Sequence, residues 1–306
     1  MTLRSKDSDW VTVGGTRCPV CSGPARPSID VGVYRLFACG RCGSWSSDAA
    51  LRGATTSFTP ERYFENEEAD LDKWLDLGAR LAARGQPIGS MLDVGCGTGA
   101  FLAHFRSRRS ALRQLGIELD PERAELARQK NPEADIRTGD ALEELATVEG
   151  GLDLITLWDV FEHVVAPAEL LQALAGKLSN RGCIFIQTIH EDSIVPRLGR
   201  LSYRLSRGAL RAAVRRTHEA HHLVFFTKEG LAMAAEAAQL QIREQWFDSL
   251  SLDRMDGGIW VTRLTSALLR LERRLGNGLF INLILDTSRS PEAHTTNLSS
   301  MINPAS

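Results

Sequence analysis

The sequence predicts a doubly wound α/β fold, on three observations. Strand-sized apolar runs alternate with helical patterns from Met91 to Leu285, the succession that builds a mainly parallel sheet between two layers of helices. Most of those runs, Leu152–Leu157 and Cys183–Ile189 among them, are largely apolar rather than alternating, as strands covered on both faces must be. The first run, Met91-Leu92-Asp93-Val94, leads straight into Gly95-Cys96-Gly97-Thr98-Gly99 and then into the helical pattern of Phe101, Leu102 and Phe105. Glycine at such a turn lets the backbone approach a ligand that a side chain would hold off. The unpaired N–H groups opening the next helix face the same place.

The remaining elements follow in order. Leu115–Asp120 is a second strand ending in acid, and Asp120 and Pro121 then cap and open a helix,. Ala134–Thr138 is a third strand, followed by Gly139-Asp140-Ala141. Leu152–Leu157 is a fourth, followed by Trp158-Asp159-Val160-Phe161-Glu162-His163. A helix over Ala168–Leu178 leads to the fifth strand, Cys183–Ile189. Thr227 caps a helix reaching Ala238, Gln241–Phe247 is the sixth strand, and a helix over Leu264–Leu275 precedes the seventh, Leu279–Leu285. The residues from Thr287 on are rich in Ser, Asn, Thr and Pro, so 287–306 is expected to be a disordered tail,.

Upstream of the glycine run the pattern changes. Cys18 and Cys21 form one Cys-x-x-Cys pair and Cys39 and Cys42 a second, with Val31, Val33, Tyr34, Leu36 and Phe37 between them for a short hairpin. Two such turns facing each other give the tetrahedral sulfur cage of a closed structural zinc site; disulfides and a redox pair are the alternatives. Residues 1–50 therefore read as a zinc-ribbon-like segment, too small to fold on its own core. Ser44–Pro60 reads as a loop, and 51–86 as a linker carrying a helix with Leu71, Trp74, Leu75, Leu77 and Leu81 in near-helical spacing, broken at Gly85–Gly89,. The larger domain then occupies 87–286.

Composition bounds the function. The chain has 306 residues, 43% hydrophobic and 24% charged, with a net charge of −2, which excludes a generic nucleic-acid binder. Met1–Trp10 is polar, without a signal-peptide core,, and the longest apolar runs are too short to span a bilayer. A soluble cytoplasmic protein is expected.

The glycine run alone is ambiguous: Gly95-x-Gly97-x-x-Ala100, with Glu118 further on, also satisfies a permissive dinucleotide fingerprint,. The set of the glycine run, Glu118 after strand two, Asp140 after strand three and the aromatic-acidic turn after strand four resembles the class I S-adenosylmethionine-dependent methyltransferases, whose motif I is similar to Leu92–Gly99. The two cysteine pairs, Tyr63-Phe64 and His222–Thr227 extend the resemblance to a bacterial group in which a zinc-binding segment precedes a small-molecule or sugar-modifying methyltransferase domain. The resemblance implies a seven-stranded Rossmann-like sheet whose last strand runs antiparallel. It implies that Asp93, Gly95 and Gly97 frame the methionine part of the cofactor; Cys96, in the same cofactor-binding loop, reads as a small apolar packing residue rather than a nucleophile. Glu118 would accept from the ribose hydroxyls beside Leu119, Asp140 would meet the adenine amino group beside Ala141, and Trp158 and Asp159 would line the methyl-transfer end.

Methyl transfer needs an acceptor held in line and a base for its proton. The candidate bases are His190, His222 and His163, with His221 adjacent,; the group more often carries Pro-Asn at Ile189-His190. Alternatively His163 orients the strand-four turn and His222 bonds backbone in a lid. Within the insertion 191–222, Arg197, Arg200, Arg204, Arg207, Arg211 and Arg215 recur at helical spacing with Leu198, Leu201 and Leu205 beside them. This reads as a basic amphipathic helix, an acceptor lid by resemblance. It suits an anionic or nucleotide-linked acceptor, an acidic membrane surface, or simply a solvated face. The leading expectation is methylation of a sugar or other secondary metabolite. The alternatives are an RNA methyltransferase gripping its substrate through the zinc segment, an NAD(P)-dependent oxidoreductase, and a scaffold that has kept the fold without the chemistry.

Overall fold

The computed structural model describes residues 15–49, 70–85, 87–108, 112–249 and 259–287, with side chains in the last stretch from Ser266 onward. The readings of Met1–Trp10, Tyr63-Phe64 and the tail beyond Thr287 lie outside the described residues.

The elements in chain order are β1 (Ala25–Asp30), β2 (Arg35–Cys39), β3 (Trp45–Ser47), α1 (Leu71–Ala83), β4 (Ser90–Val94), α2 (Ala100–Arg106), β5 (Arg113–Glu118), α3 (Pro121–Lys130), β6 (Asp135–Thr138), α4 (Ala141–Leu145) and β7 (Leu152–Trp158). After a 3-10 turn at Phe161–His163 come α5 (Pro167–Ala175), β8 (Leu178–Ile189), α6 (Ile194–Leu205), α7 (Arg211–Thr217), β9 (Val224–Phe225), α8 (Lys228–Ala237), β10 (Leu240–Asp248), α9 (Ile259–Arg274) and β11 (Phe280–Thr287). Seven strands form the main sheet in the order β10-β11-β8-β7-β4-β5-β6. Strands β6, β5, β4, β7 and β8 are parallel neighbours, whereas β11 is antiparallel to both β8 and β10. The expected doubly wound sheet with an antiparallel last strand is therefore present.

Strand alternation sorts the core into two layers. Leu92, Val94, Ile155, Leu157, Ile184 and Ile186 face a layer with Leu145, Leu170, Leu174 and Leu231 from α4, α5 and α8. Met91, Leu154, Cys183 and Phe185 face the other, with Leu77, Leu81, Phe101, Phe105 and Ala127 from α1, α2 and α3. Local chemistry sets the helix starts. Asp120 accepts from the N–H groups of Glu122 and Arg123 with Pro121 at the first position, and Thr227 accepts from Gly230; each such cap contributes about 1 kcal/mol.

The N-terminal segment is joined to this domain rather than appended to it. β1, β2 and β3 form an antiparallel sheet whose fourth strand, β9, comes from the far side of the chain, pairing Trp45 with Phe225 and Ser46 with Val224. The Ser44–Pro60 loop reading therefore fails at β3: three residues are too few to show a period, and the strand is held by its partners. The single arginine-rich helix is also corrected. Arg207 and Gly208 adopt φ +52° and +91°, which reverses the chain, and α7 folds back on α6 with Gly199 at the contact, where a Cβ would come 3.2 Å from Thr217 Oγ1. The helix pair packs against β1–β3: Val214 joins Ile29, Val31, Tyr34, Leu36 and Trp45, and Tyr203 Oη donates to the Asp30 carbonyl at 3.2 Å. Strand β8 starts at Leu178, where a helix end was expected, because Leu178 pairs with Leu152. Thr287 closes β11 rather than opening a tail.

Candidate functional site

Two knuckles of the same design hold the four cysteines. In Cys18–Ser22 and Cys39–Gly43 the N–H of the fifth residue donates to the carbonyl of the first, at 2.9 and 3.2 Å. Ser22 and Gly43 both take positive φ, +56° and +72°. The first cysteine of each knuckle also donates its N–H to the sixth residue's carbonyl, Gly23 and Ser44, at 2.9 Å. The result places Cys18 Sγ 3.7 Å from Cys42 Sγ and Cys21 Sγ 3.5 Å from Cys39 Sγ, with all four sulfurs within 4.8 Å of one another. A tetrahedral zinc with bonds of about 2.3 Å sets its sulfurs about 3.8 Å apart, so the cage fits that ion. The hydrogen bond with the Cys18 thiol lowers the Cys42 thiol. Thr227 Oγ1, the cap of α8, donates to the Cys42 carbonyl at 2.6 Å and ties the knuckle to the main domain.

The second constellation lies at the C-terminal ends of β4, β5, β6 and β7. Gly95, Gly97 and Gly99 have φ of +70°, +56° and +77°, backbone that other residues rarely adopt. At Gly95 a Cβ would also lie 2.4 Å from Val160 Cγ2, so the loop after β4 is fitted against the turn after β7. Cys96 is buried, its Sγ in the space a side chain on Gly116 would need, and burial holds its thiol protonated; it packs, as expected. Glu118 accepts from Gly97 N–H at 2.9 Å through one oxygen and from Asp120 N–H at 3.0 Å through the other. Both oxygens keep a second lone pair for a vicinal diol. Leu119 beside it is apolar and 47% exposed, a ledge that a planar base can cover. Asp140 caps α4 through Leu142 N–H at 2.9 Å, next to partly buried Ala141. These groups suit a nucleoside with an extended polar arm.

Asp93 faces inward. Its carboxylate accepts from Thr156 Oγ1 at 2.6 Å, and burial pushes it up to about 7. Trp158 packs edge-on to Phe101 and close to Phe185, at ring distances of 5.2 and 4.4 Å. Asp159 holds φ +51°, strained for a non-glycine residue, and accepts from Gln187 Nε2 at 2.9 Å.

The candidate histidines divide. The rings of His163, His221 and His222 cluster at centroid distances of 4.2 to 5.5 Å, with His163 stacked on His221. Burial lowers all three; in addition His163 lowers His221, to about 4, and both neighbours lower His222. His190 lies apart and is 1% exposed, its ring 5.0 Å from Phe247 and its Nδ1 3.1 Å from the Gly278 carbonyl. Glu162, which the sequence reading left unassigned, is 1% exposed and joins His163 and His222 in one group of donor atoms within 4.8 Å. Its carboxyl is pushed up to about 8 by burial, with Asp159 adding to the effect. The adjoining acid and imidazole in Glu162-His163 were the available signal.

The comparisons with known proteins agree with this geometry. The profile of a family described as "Methyltransferase domain" matches residues 63–245. The ubiquinone biosynthesis O-methyltransferase of Xanthomonas campestris pv. campestris is 28% identical over 172 residues, 55% of this chain and 68% of that protein. The mitochondrial enzyme of the same description from Saccharomyces cerevisiae is 30% identical over 142 residues, 45% of this chain and 44% of its own. Among solved structures, the plantazolicin methyltransferase BamL superposes with a TM-score of 0.51 at 16% identity, covering 74% of this chain and 89% of BamL. The chain belongs to the methyltransferase-domain family and is a class I S-adenosylmethionine-dependent methyltransferase.

Proposed function

We propose that the chain methylates an oxygen of a small-molecule acceptor, and that its cysteine knuckles hold a structural zinc. The observation that carries the oxygen reading is the corner formed by Glu162, His163, His221 and His222 against Val160, which itself abuts Gly95. A hydroxyl must lose its proton to become a methyl acceptor, and neutral imidazoles are bases suited to neutral pH. The relatives named ubiquinone biosynthesis O-methyltransferase support the same atom type.

S-adenosylmethionine supplies an electrophilic methyl on a sulfonium. The chain's own residues bind and orient it: Gly95–Gly99 brings backbone close, Glu118 offers fixed acceptors, and Leu119, Asp140 and Ala141 form the side for the base. His163 and His222 stand where an acceptor proton would leave, and His221 sets the ring of His163 through its carbonyl at 2.9 Å. His190 is outside this role, sealed under Phe247. The RNA alternative loses ground because the cysteine sheet spends one edge on β9 and one face on α6 and α7.

Differential scanning fluorimetry tests the cofactor: S-adenosylhomocysteine should raise the melting temperature, and NAD(P) should not. Transfer of a labelled methyl to small hydroxylated acceptors, and its absence with RNA, tests the acceptor class. Uptake of label only into amines or nucleic acid would reject the oxygen reading.

A further inference from the structure

We propose that Asn131, the residue that ends α3, is a positioning residue for the cofactor: its side-chain amide holds the second half of the glycine loop in the shape that binds S-adenosylmethionine. The inference deepens the cofactor placement above and rests on it. The first argument is how the loop is held. Its first half is clamped by β5. Gly95 and Cys96 donate their N–H groups to the Ile117 carbonyl at 2.7 and 3.1 Å, and Gly97 N–H donates to Glu118 at 2.9 Å. The second half is held from α3. Lys130 Nζ donates to Thr98 Oγ1 at 3.2 Å, and Asn131 Nδ2 donates to the Gly99 carbonyl at 2.9 Å. Lys130 is exposed, whereas Asn131 is 1% exposed, so the asparagine makes the bond that is shielded from water and stronger for it. Gly99, at φ +77°, caps α2 and has no side chain to anchor that helix's first turn. Asn131 supplies the anchor from outside: a Cβ on Gly99 would lie 2.3 Å from its Nδ2.

The second argument is the state of the amide itself. The Asn131 backbone N–H donates to the Ala127 carbonyl at 2.9 Å, and its own carbonyl accepts from Ala134 N–H at 3.0 Å. Its Nδ2 also donates to the Ala127 carbonyl, at 3.1 Å. Both amide hydrogens are therefore used, one on α3 and one on the loop. Oδ1, in contrast, is buried with no partner. A buried acceptor without a bond lowers stability, and an apolar side chain of similar size would avoid that loss. The loop explains this asparagine better than the fold does.

The third argument is the consequence for binding. The N–H groups that open α2 face the cofactor, and their aim depends on the Gly99 peptide. Asn131 is sealed behind the loop, so it acts through Gly99. A loop that adopts the binding shape only part of the time binds with its affinity reduced by that fraction.

Calorimetry with S-adenosylhomocysteine, paired with thermal melting of the ligand-free full chain, tests the role. Asn131→Leu keeps a similar volume while removing both the donor and the orphan acceptor, and the φ of −129° is open to any residue,. Affinity should fall about tenfold while melting stays within about 2 °C of the native chain. Asn131→Ala should lose the same affinity and melt lower, because it also leaves a cavity. Arg128→Ala is the control. Three residues earlier on α3, Arg128 donates to the Ile136 carbonyl at 3.1 and 3.2 Å and to Thr138 Oγ1 at 2.7 Å, tying the helix to β6 rather than to the loop. It should lower melting by about 2–4 °C with affinity within about twofold of native. Native affinity in Asn131→Leu, or an equal loss of affinity in Arg128→Ala, overturns the positioning role and leaves the cofactor placement standing. A native chain that binds no S-adenosylhomocysteine rejects the placement and this role with it.

Discussion

The cysteine cage and the crevice around the glycine loop differ in where their polar groups find partners. In the knuckles every turn is closed by its own chain: paired backbone bonds, two matched positive-φ residues, and sulfurs already near tetrahedral spacing. In the crevice the groups are fixed but left unfinished. Glu118 is held by two N–H groups with lone pairs to spare, Leu119 is exposed, and Glu162 is buried beside three neutral imidazoles. The first arrangement belongs to a site whose work is to hold the fold. The second belongs to a site that is completed by what it binds.

The largest effect should come from breaking the closed site. Cys42→Ser removes one sulfur of the proposed zinc cage, which is tied to α8 through Thr227. Structural zinc contributes on the order of 10 kcal/mol to the folding of small domains, and each 1 kcal/mol shifts melting of a domain this size by about 2–4 °C. We expect zinc content to fall well below one per chain and melting to drop by more than about 10 °C. Full zinc content, or a native melting temperature without zinc, would break the contrast at its first term.

Gly97→Val should do the reverse, costing ligand more than fold. A β-branched side chain at φ +56° is strained,, and it disturbs the N–H that orients Glu118. Affinity for S-adenosylhomocysteine should fall by about a hundredfold or more by calorimetry, with zinc content unchanged. Normal binding would mean that the glycine loop does not organise the cofactor site.

How much of this was legible in the sequence differs between the regions in the same way. The cysteine pairs and the glycine run are local: their spacing alone names the turn, and both stand where they were expected. The joint between them is not local. β3 is three residues long and exists because Val224 and Phe225 pair with it across the whole domain, a contact no window of sequence contains. The arginine pattern was helical as read, but the break at Arg207-Gly208 turned one surface helix into a packed pair. Arg200 then serves burial, bonding Glu191 and lying 5.1 Å from the Trp45 ring centre. His190 shows the same limit, since a strand-end histidine reads as accessible until Phe247 is seen over it.

A pH experiment sharpens the crevice side of the comparison. Burial holds the Asp93 carboxyl near 7, above its ordinary 3.8. For an acid raised in the folded state, the stability contributed is complete below the ordinary value and is lost as pH rises through about 7. Asp93→Asn removes the charge and keeps an acceptor for Thr156. The variant should melt a few degrees above the native chain at pH 5, where the unfolded acid is already ionised, and at least twice as far above it at pH 8.5. Equal melting at both pH values would show that the buried acid carries no such strain.

The smallest expected effect tests the seam between the two regions. Tyr203 on α6 donates its hydroxyl to the Asp30 carbonyl at 3.2 Å and accepts from the Asp30 N–H at 3.3 Å. Both bonds are exposed, so their net worth is about 1 kcal/mol together rather than the sum of two buried bonds. Tyr203→Phe should therefore lower melting by about 2–4 °C, leave zinc content at one per chain and leave S-adenosylhomocysteine affinity within about twofold. The cysteine cage and the crevice are each closed by their own bonds, so loosening the joint should disturb neither. A loss of zinc or of cofactor affinity in this variant would mean that the insertion couples the two sites instead of merely filling the space between them.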